Sequence, residues 1–183
     1  MNRRLFQQVR QLNNKAFSMI ELLVIVAIMG VLIGVFSASY LVVEKGNVKK
    51  AVNFIDDELS VCKEKAQTNS ADEWKVVIKP GRVSVVKVID GVESEESSKA
   101  IPEKVSLYIS ENSGKISGTE IGSDYDSVSI SFRQSGEVGD VYVSSTNTSL
   151  KGSASSIYII ARYKDKKEQN VKIYYSTGKH TVE

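Results

Sequence analysis

Glu21 is the first residue that asks for a chemical explanation. Leu22 to Val43 is a run of twenty-two residues without a charge, and Glu21 stands directly before it. A carboxylate at the edge of an apolar layer costs on the order of a few kcal/mol, so such residues are functional by default and need a partner. Other chemistry-bearing residues are sparse. The single cysteine, Cys62, leaves no intrachain disulfide, and the single histidine, His180, leaves no His–Cys zinc set. His180 lies close to the C-terminus and reads as an exposed terminal histidine; Cys62 reads as a small buried hydrophobe. Carboxylates gather twice, as Glu93, Glu95 and Glu96 and as Asp124 and Asp126 around Tyr125. Both lack EF-hand spacing and read as solvated loops rather than calcium sites. Lys164, Lys166, Lys167 and Lys172 in YKDKKEQNVK could meet DNA phosphates. Asp165 and Glu168 interrupt them, so a solvated turn is the plainer reading. No nucleophile elbow, phosphate-cradling loop or H-E-x-x-H occurs. The sequence therefore predicts no catalytic residue, no metal and no cofactor, and a protein that is not an enzyme.

The elements that position Glu21 come next. The chain has 183 residues, enough for one modest domain plus an anchor. Arg3, Arg4, Arg10 and Lys15 precede the apolar run with no acid among them, and the remainder holds 20 basic and 22 acidic residues. As a helix, the run spans roughly 30 Å, the depth of a bilayer's hydrocarbon core. Basic residues ahead of it place the N-terminus in the cytoplasm and the rest outside. Gly30 and Gly34 have the spacing that lets membrane helices approach closely. A plain membrane anchor fits these facts. So does a secretory signal, with Leu22 to Phe36 as its apolar core and Ser37-Ala38-Ser39 as its cleavage site, giving a mature chain from Tyr40. Neither accounts for Glu21.

The stretch KAFSMIELLVIVAIMGVL resembles the N-terminal motif of type IV pilins and pseudopilins. The likeness runs through Phe17, Glu21, Leu22, Leu23, Ala27, Ile28 and Gly30. It implies a basic leader, residues 1–16, that a prepilin peptidase removes between Ala16 and Phe17 on the cytoplasmic side. Ala16 stands where the family usually has glycine, and Ala38 where many major pilins have proline. The resemblance further implies N-methylation of the new terminal Phe17. It makes Glu21 the family glutamate, which pairs with the terminal amine of an adjacent subunit in a filament. Each charge is unfavourable alone in a low dielectric, and the pair much less so.

Beyond the run, Val48, Val52, Ile55, Leu59, Cys62 and Ala66 recur at spacings of four and three, one face of an amphipathic helix. The pattern predicts a long helix from Ser18 to Thr68, with Gly46 as the point for a bend at the membrane exit, and a sheet against the stripe. From Trp74 the periodicity changes to two. EWKVVIK and RVSVVKVID read as strands around Pro80-Gly81. GVESEESSKA reads as an acidic loop, ENSGKISGTEIGSD as turns, and KDKKEQN as a turn. KVSLYIS, SVSISF, EVGDVYVSS, SSIYIIARY and NVKIYYS complete about seven strands. The expected fold class is α+β and pilin-like. A long N-terminal helix, transmembrane in its first half and amphipathic in its second, packs on an antiparallel β-sheet domain. The expected divisions are residues 1–16 (leader), 17–43 (transmembrane and assembly helix), 44–70 (amphipathic continuation) and 71–183 (extracytoplasmic β-rich domain). Phe132, Gly136, Thr177, Gly178 and Lys179 are similar to the C-terminal turns of minor pseudopilins of the type II secretion H class.

Taken together, the resemblance implies a structural subunit, a minor pilin or pseudopilin. Its partners would be other pilin subunits, the prepilin peptidase and the cytoplasmic membrane. Its final place would be a cell-surface or periplasmic filament. The runner-up is a DNA-uptake or adhesive pilin whose C-terminal domain binds DNA or a surface.

Overall fold

The structure, a computed structural model, describes residues 18–69, 72–111, 118–144, 148–150, 154–164 and 167–183. Among the described residues, one α-helix, α1 (Met19–Thr68), is followed by eleven strands. These are β1 (Glu73–Lys79), β2 (Arg82–Ile89), β3 (Val92–Ala100), β4 (Val105–Ser110), β5 (Thr119–Ile121) and β6 (Val128–Phe132). Then come β7 (Val138–Val143), β8 (Thr148–Ser149), β9 (Ser156–Tyr163), β10 (Lys167–Tyr174) and β11 (His180–Val182). The architecture is α+β, as the pattern implied. The chain divides into two compact units with the boundary between Leu41 and Val42.

In the first unit, the large apolar residues of α1 from Met19 to Phe36 are all open. Their exposure runs from 38% at Ile25 to 89% at Met19. Apolar residues lie around the whole circumference there, so the helix has no single face to bury. Ser37 turns its hydroxyl inward and donates to the Ile33 carbonyl at 2.8 Å.

In the second unit, α1 buries one apolar stripe, Val48, Val52, Ile55, Leu59, Cys62 and Ala66, while Val43 and Val61 stay exposed off it. Two antiparallel sheets share that core. One has six strands in the order β3-β2-β1-β6-β7-β8; the other has five, β11-β10-β9-β4-β5. Alternation supplies the inward residues: Val76 and Ile78 on β1, Ile130 on β6, Ile157 and Ile159 on β9, Val171 and Ile173 on β10. The Val138 amide donates to the Tyr175 carbonyl at 3.0 Å, joining β7 to the end of β10.

Four expectations are corrected. The acidic loop at Gly91–Ala100 is strand β3. Serine and glutamate are weak strand formers, but Asp90 and Gly91 both take positive φ (51° and 80°) and fold the chain straight back, pairing Ile89 with Val92. As an edge strand, β3 needs no apolar face. Lys75–Glu93 and Arg82–Glu95 ion pairs tie it on, and Glu96 is the extra residue of a bulge opposite Val85 and Val86. The turn-rich stretch before Asp124 contains β5, and β10 begins at Lys167, inside the segment read as a turn. Tight pairing of Lys167 with Tyr163 extends that hairpin almost to its tip. The fourth is His180, which is not an exposed terminal residue.

Candidate functional site

Helix α1 starts immediately after Ser18. The amides of Glu21 and Leu22 donate to the Ser18 carbonyl at 2.9 and 3.1 Å, so Ser18 holds the N-cap position and Glu21 the third helical position. Glu21 is therefore an acid in the first turn, where the helix presents unpaired amides and a positive dipole end. This gives its charge a local attraction that the sequence reading missed, although the Ser-x-x-Glu spacing signals it. Glu21 is exposed. Ala16 and Phe17, the expected cleavage and methylation residues, lie outside the described residues. The structure thus brings Glu21 to the head of the helix and leaves its expected partner undescribed.

Further along, Gly30 and Gly34 share one face of α1. A Cβ on either would meet nothing within 4 Å. Glycine costs a helix about 1 kcal/mol relative to alanine, and nothing among the described residues requires it at these two positions. Met19–Ser37 is long and apolar enough to cross a membrane.

Residues 11–37 match the family model described as the prokaryotic N-terminal methylation motif. The chain carries the type IV pilin and pseudopilin signature. That motif implies processing by a prepilin peptidase and assembly with other pilin subunits. With the open apolar helix it supports membrane anchoring. The α+β architecture is consistent with a pilin-like fold. Comparisons with curated proteins and with solved structures return no match.

The second group of residues singled out in the sequence lies at the C-terminal turns, and the structure gathers it at one point. Phe132 ends β6, Gly136 lies in the β6–β7 turn with φ 84°, and Gly178 lies in the β10–β11 turn with φ 55°. A Cβ on Gly178 would collide with the Gly136 carbonyl and press on the Phe132 ring. A Cβ on Gly136 would fall 2.6 Å from Gln67 Nε2. Lys63 Nζ donates to the Thr177 carbonyl at 2.9 Å. Two turns far apart in sequence therefore dock on each other and on α1.

His180 belongs to the same junction, against the expectation of an exposed terminal residue. Its side chain is 12% exposed. Pairing of β11 with β10 carries it over α1, where its Nδ1–H donates to the Gly178 carbonyl at 3.2 Å. Nε2 is left as the acceptor for the Ser60 hydroxyl at 2.9 Å, with Asp56 Oδ1 at 3.6 Å. Serine, histidine and aspartate are thus neighbours, but Ser60 and Asp56 address the same ring nitrogen. A hydrolytic triad needs the carboxylate on the other nitrogen.

On the opposite flank of the stripe, Glu58 is only 2% exposed. It accepts a hydrogen bond from Ser97 and lies 3.4 Å from Lys99 Nζ, which also pairs with Asp57 at 2.9 Å. Burial alone would lower the Lys99 ammonium. Hydrogen bonds and charge from Asp57 and Glu58 outweigh it and hold Lys99 above its ordinary range. Cys62 is buried as expected, its thiol pushed up to about 12 by burial and then by the Glu58 charge. Lys172 sits on β10 and lies 5.4 and 4.8 Å from the Tyr158 and Tyr174 rings. Arg162 pairs with Glu168. No cluster of three metal-ligating side chains occurs among the described residues.

Proposed function

We propose that the chain is a structural subunit, a minor pilin or pseudopilin, of a type IV pilus-like or type II secretion-like filament. It enters the cytoplasmic membrane with residues 1–16 inside and residues 71–183 outside. Cleavage between Ala16 and Phe17 creates a terminal amine, which is then methylated. Residues 17–43 serve as both anchor and assembly helix, and residues 44–70 carry the domain.

One observation carries this reading: the large apolar residues from Met19 to Phe36 are exposed, with an acid in the first turn and two glycines that no contact among the described residues explains. A lipid-facing anchor alone explains the open residues. It does not explain the acid or the glycines, whereas helix-to-helix packing explains both. In a filament, Glu21 would meet the Phe17 amine of a neighbouring subunit. Leaving either charge unpaired in the apolar layer costs several kcal/mol, so only one axial register satisfies both.

Glu21→Val tests this. Insertion and cleavage of the variant are expected to match the unaltered chain, while its recovery in sheared filaments falls at least tenfold. Recovery at the normal level would sink the assigned role.

A further inference from the structure

Basic charge is placed unevenly in the second unit. Residues 44–50 read EKGNVKK, three lysines against one acid, directly after the uncharged run. Residues 51–183 carry 17 basic and 20 acidic residues. Positive charge is thus concentrated within two turns of Val43, ahead of a domain of net negative charge.

Lys45, Lys49 and Lys50 are exposed, while Val48 between them turns into the core. Among the described side chains, of which Glu44 is not one, no carboxylate lies within ion-pair distance of any of the three. Lys50 Nζ lies 5.4 Å from the Phe54 ring centroid. Lys75, Lys87 and Lys99, by contrast, each have an acid. At 1.5 Å per residue, Lys45 stands about 3 Å and Lys49 about 9 Å beyond Val43 along the helix. The headgroup layer is roughly 5–7 Å deep on each side of a bilayer. A flexible lysine stem lets the ammonium reach back into it.

We propose that Lys45, Lys49 and Lys50 form a basic collar that binds acidic phospholipid headgroups at the membrane surface facing the domain. The proposal rests on the membrane-anchor reading of α1. Each lysine near an anionic surface adds about fivefold to the attraction. The same surface repels a net-negative domain, so attraction is confined to the collar and orients the domain above the lipid. Loss of the leader would remove Arg3, Arg4, Arg10 and Lys15 from the other end of the run. The collar would then be the basic flank of the mature anchor.

The test uses the full chain in nanodiscs of phosphatidylcholine, alone or with about a third phosphatidylglycerol, at low salt where such attraction is least screened. Lysine acetylation is followed residue by residue by mass spectrometry, with exposed Lys79 and Lys104 as internal references. In acidic discs, modification of Lys45 and Lys49 is expected to slow about fivefold or more, to recover in high salt, and to leave the references unchanged. Equal rates in both lipids overturn the collar. Slowing in both lipids overturns it too and assigns the lysines to a contact with a second copy. Lys45→Gln, Lys49→Gln and Lys50→Gln together are expected to preserve insertion and abolish enrichment of phosphatidylglycerol around the chain; enrichment that persists overturns the proposal. A chain that enters neither disc overturns the anchor reading and the collar with it, a result distinct from insertion without lipid preference.

Discussion

The two stretches of α1 are built from similar apolar residues and meet opposite fates. Between Met19 and Phe36 every large apolar residue is open, whereas Val52, Ile55, Leu59 and Cys62 are 0% exposed. The difference lies in arrangement. Leucine, valine and isoleucine surround the first stretch, which suits a medium that is apolar on all sides. In the second stretch most of them hold one buried stripe, with Val61 the exposed exception, and Asp56, Asp57, Ser60 and Lys63 occupy the flanks. Those flanking residues then act as positioning contacts, toward β3 on one side and the C-terminal turn on the other. The first stretch is thus left to partners outside the chain, and the second is committed within it.

The comparison can be broken most severely at Leu59. Leu59→Ala removes a fully buried side chain and is expected to cost about 3 kcal/mol of domain stability, while Leu32→Ala should cost the domain close to nothing. Urea titration of the detergent-solubilised full chain, followed by fluorescence of the single tryptophan, Trp74, measures both. A comparable loss at Leu32 would mean that the open helix does have an internal partner.

A smaller effect is expected at the junction of the turns. Gly178→Ala forces a Cβ into left-handed backbone and against the Gly136 carbonyl, and about 2 kcal/mol should be lost. Retained stability would show that the C-terminal turn is not docked on α1.

Alkaline pH sharpens the contrast from the buried side. The folded Cys62 thiol is pushed up to about 12, first by burial and then by Glu58, while an unfolded thiol ionises near ~8.5. The folded state therefore holds more protons between those values. Its contribution is complete below ~8.5 and declines as pH rises toward 12, by up to about 1.4 kcal/mol per pH unit. Tyr175, also raised to about 12 by burial and then by Glu111, acts in the same direction. Cys62→Ala should flatten the stability curve between pH 9 and 11; an unchanged slope would remove the thiol from the account.

An uncharged run long enough to span a bilayer made the first stretch of the helix legible in the sequence, and 3.6-residue spacing, which needs no tertiary information, made the second legible. Periodicity also placed the strands whose residues alternate, among them β1, β2, β4, β6 and β9. It failed at β3, where Val92 is followed by serine, glutamate and lysine, because edge position and ion pairs replace burial there. The Asp90-Gly91 pair was the available signal. His180 was misread for a different reason: its environment comes from Asp56 and Ser60, more than a hundred residues away, and no local pattern encodes that pairing. Glu21 was legible as an anomaly from sequence alone, and the structure added its place in the first turn.

The central claim is that a cut before Phe17 turns the open helix from an anchor into an assembly surface. Mass spectrometry of the N-terminal peptide, taken from chains recovered in cells with an active prepilin peptidase, tests it most directly. The predicted first residue is N-methylated Phe17. A mature chain that begins at Tyr40, or one that retains Met1 with the leader intact, would contradict it.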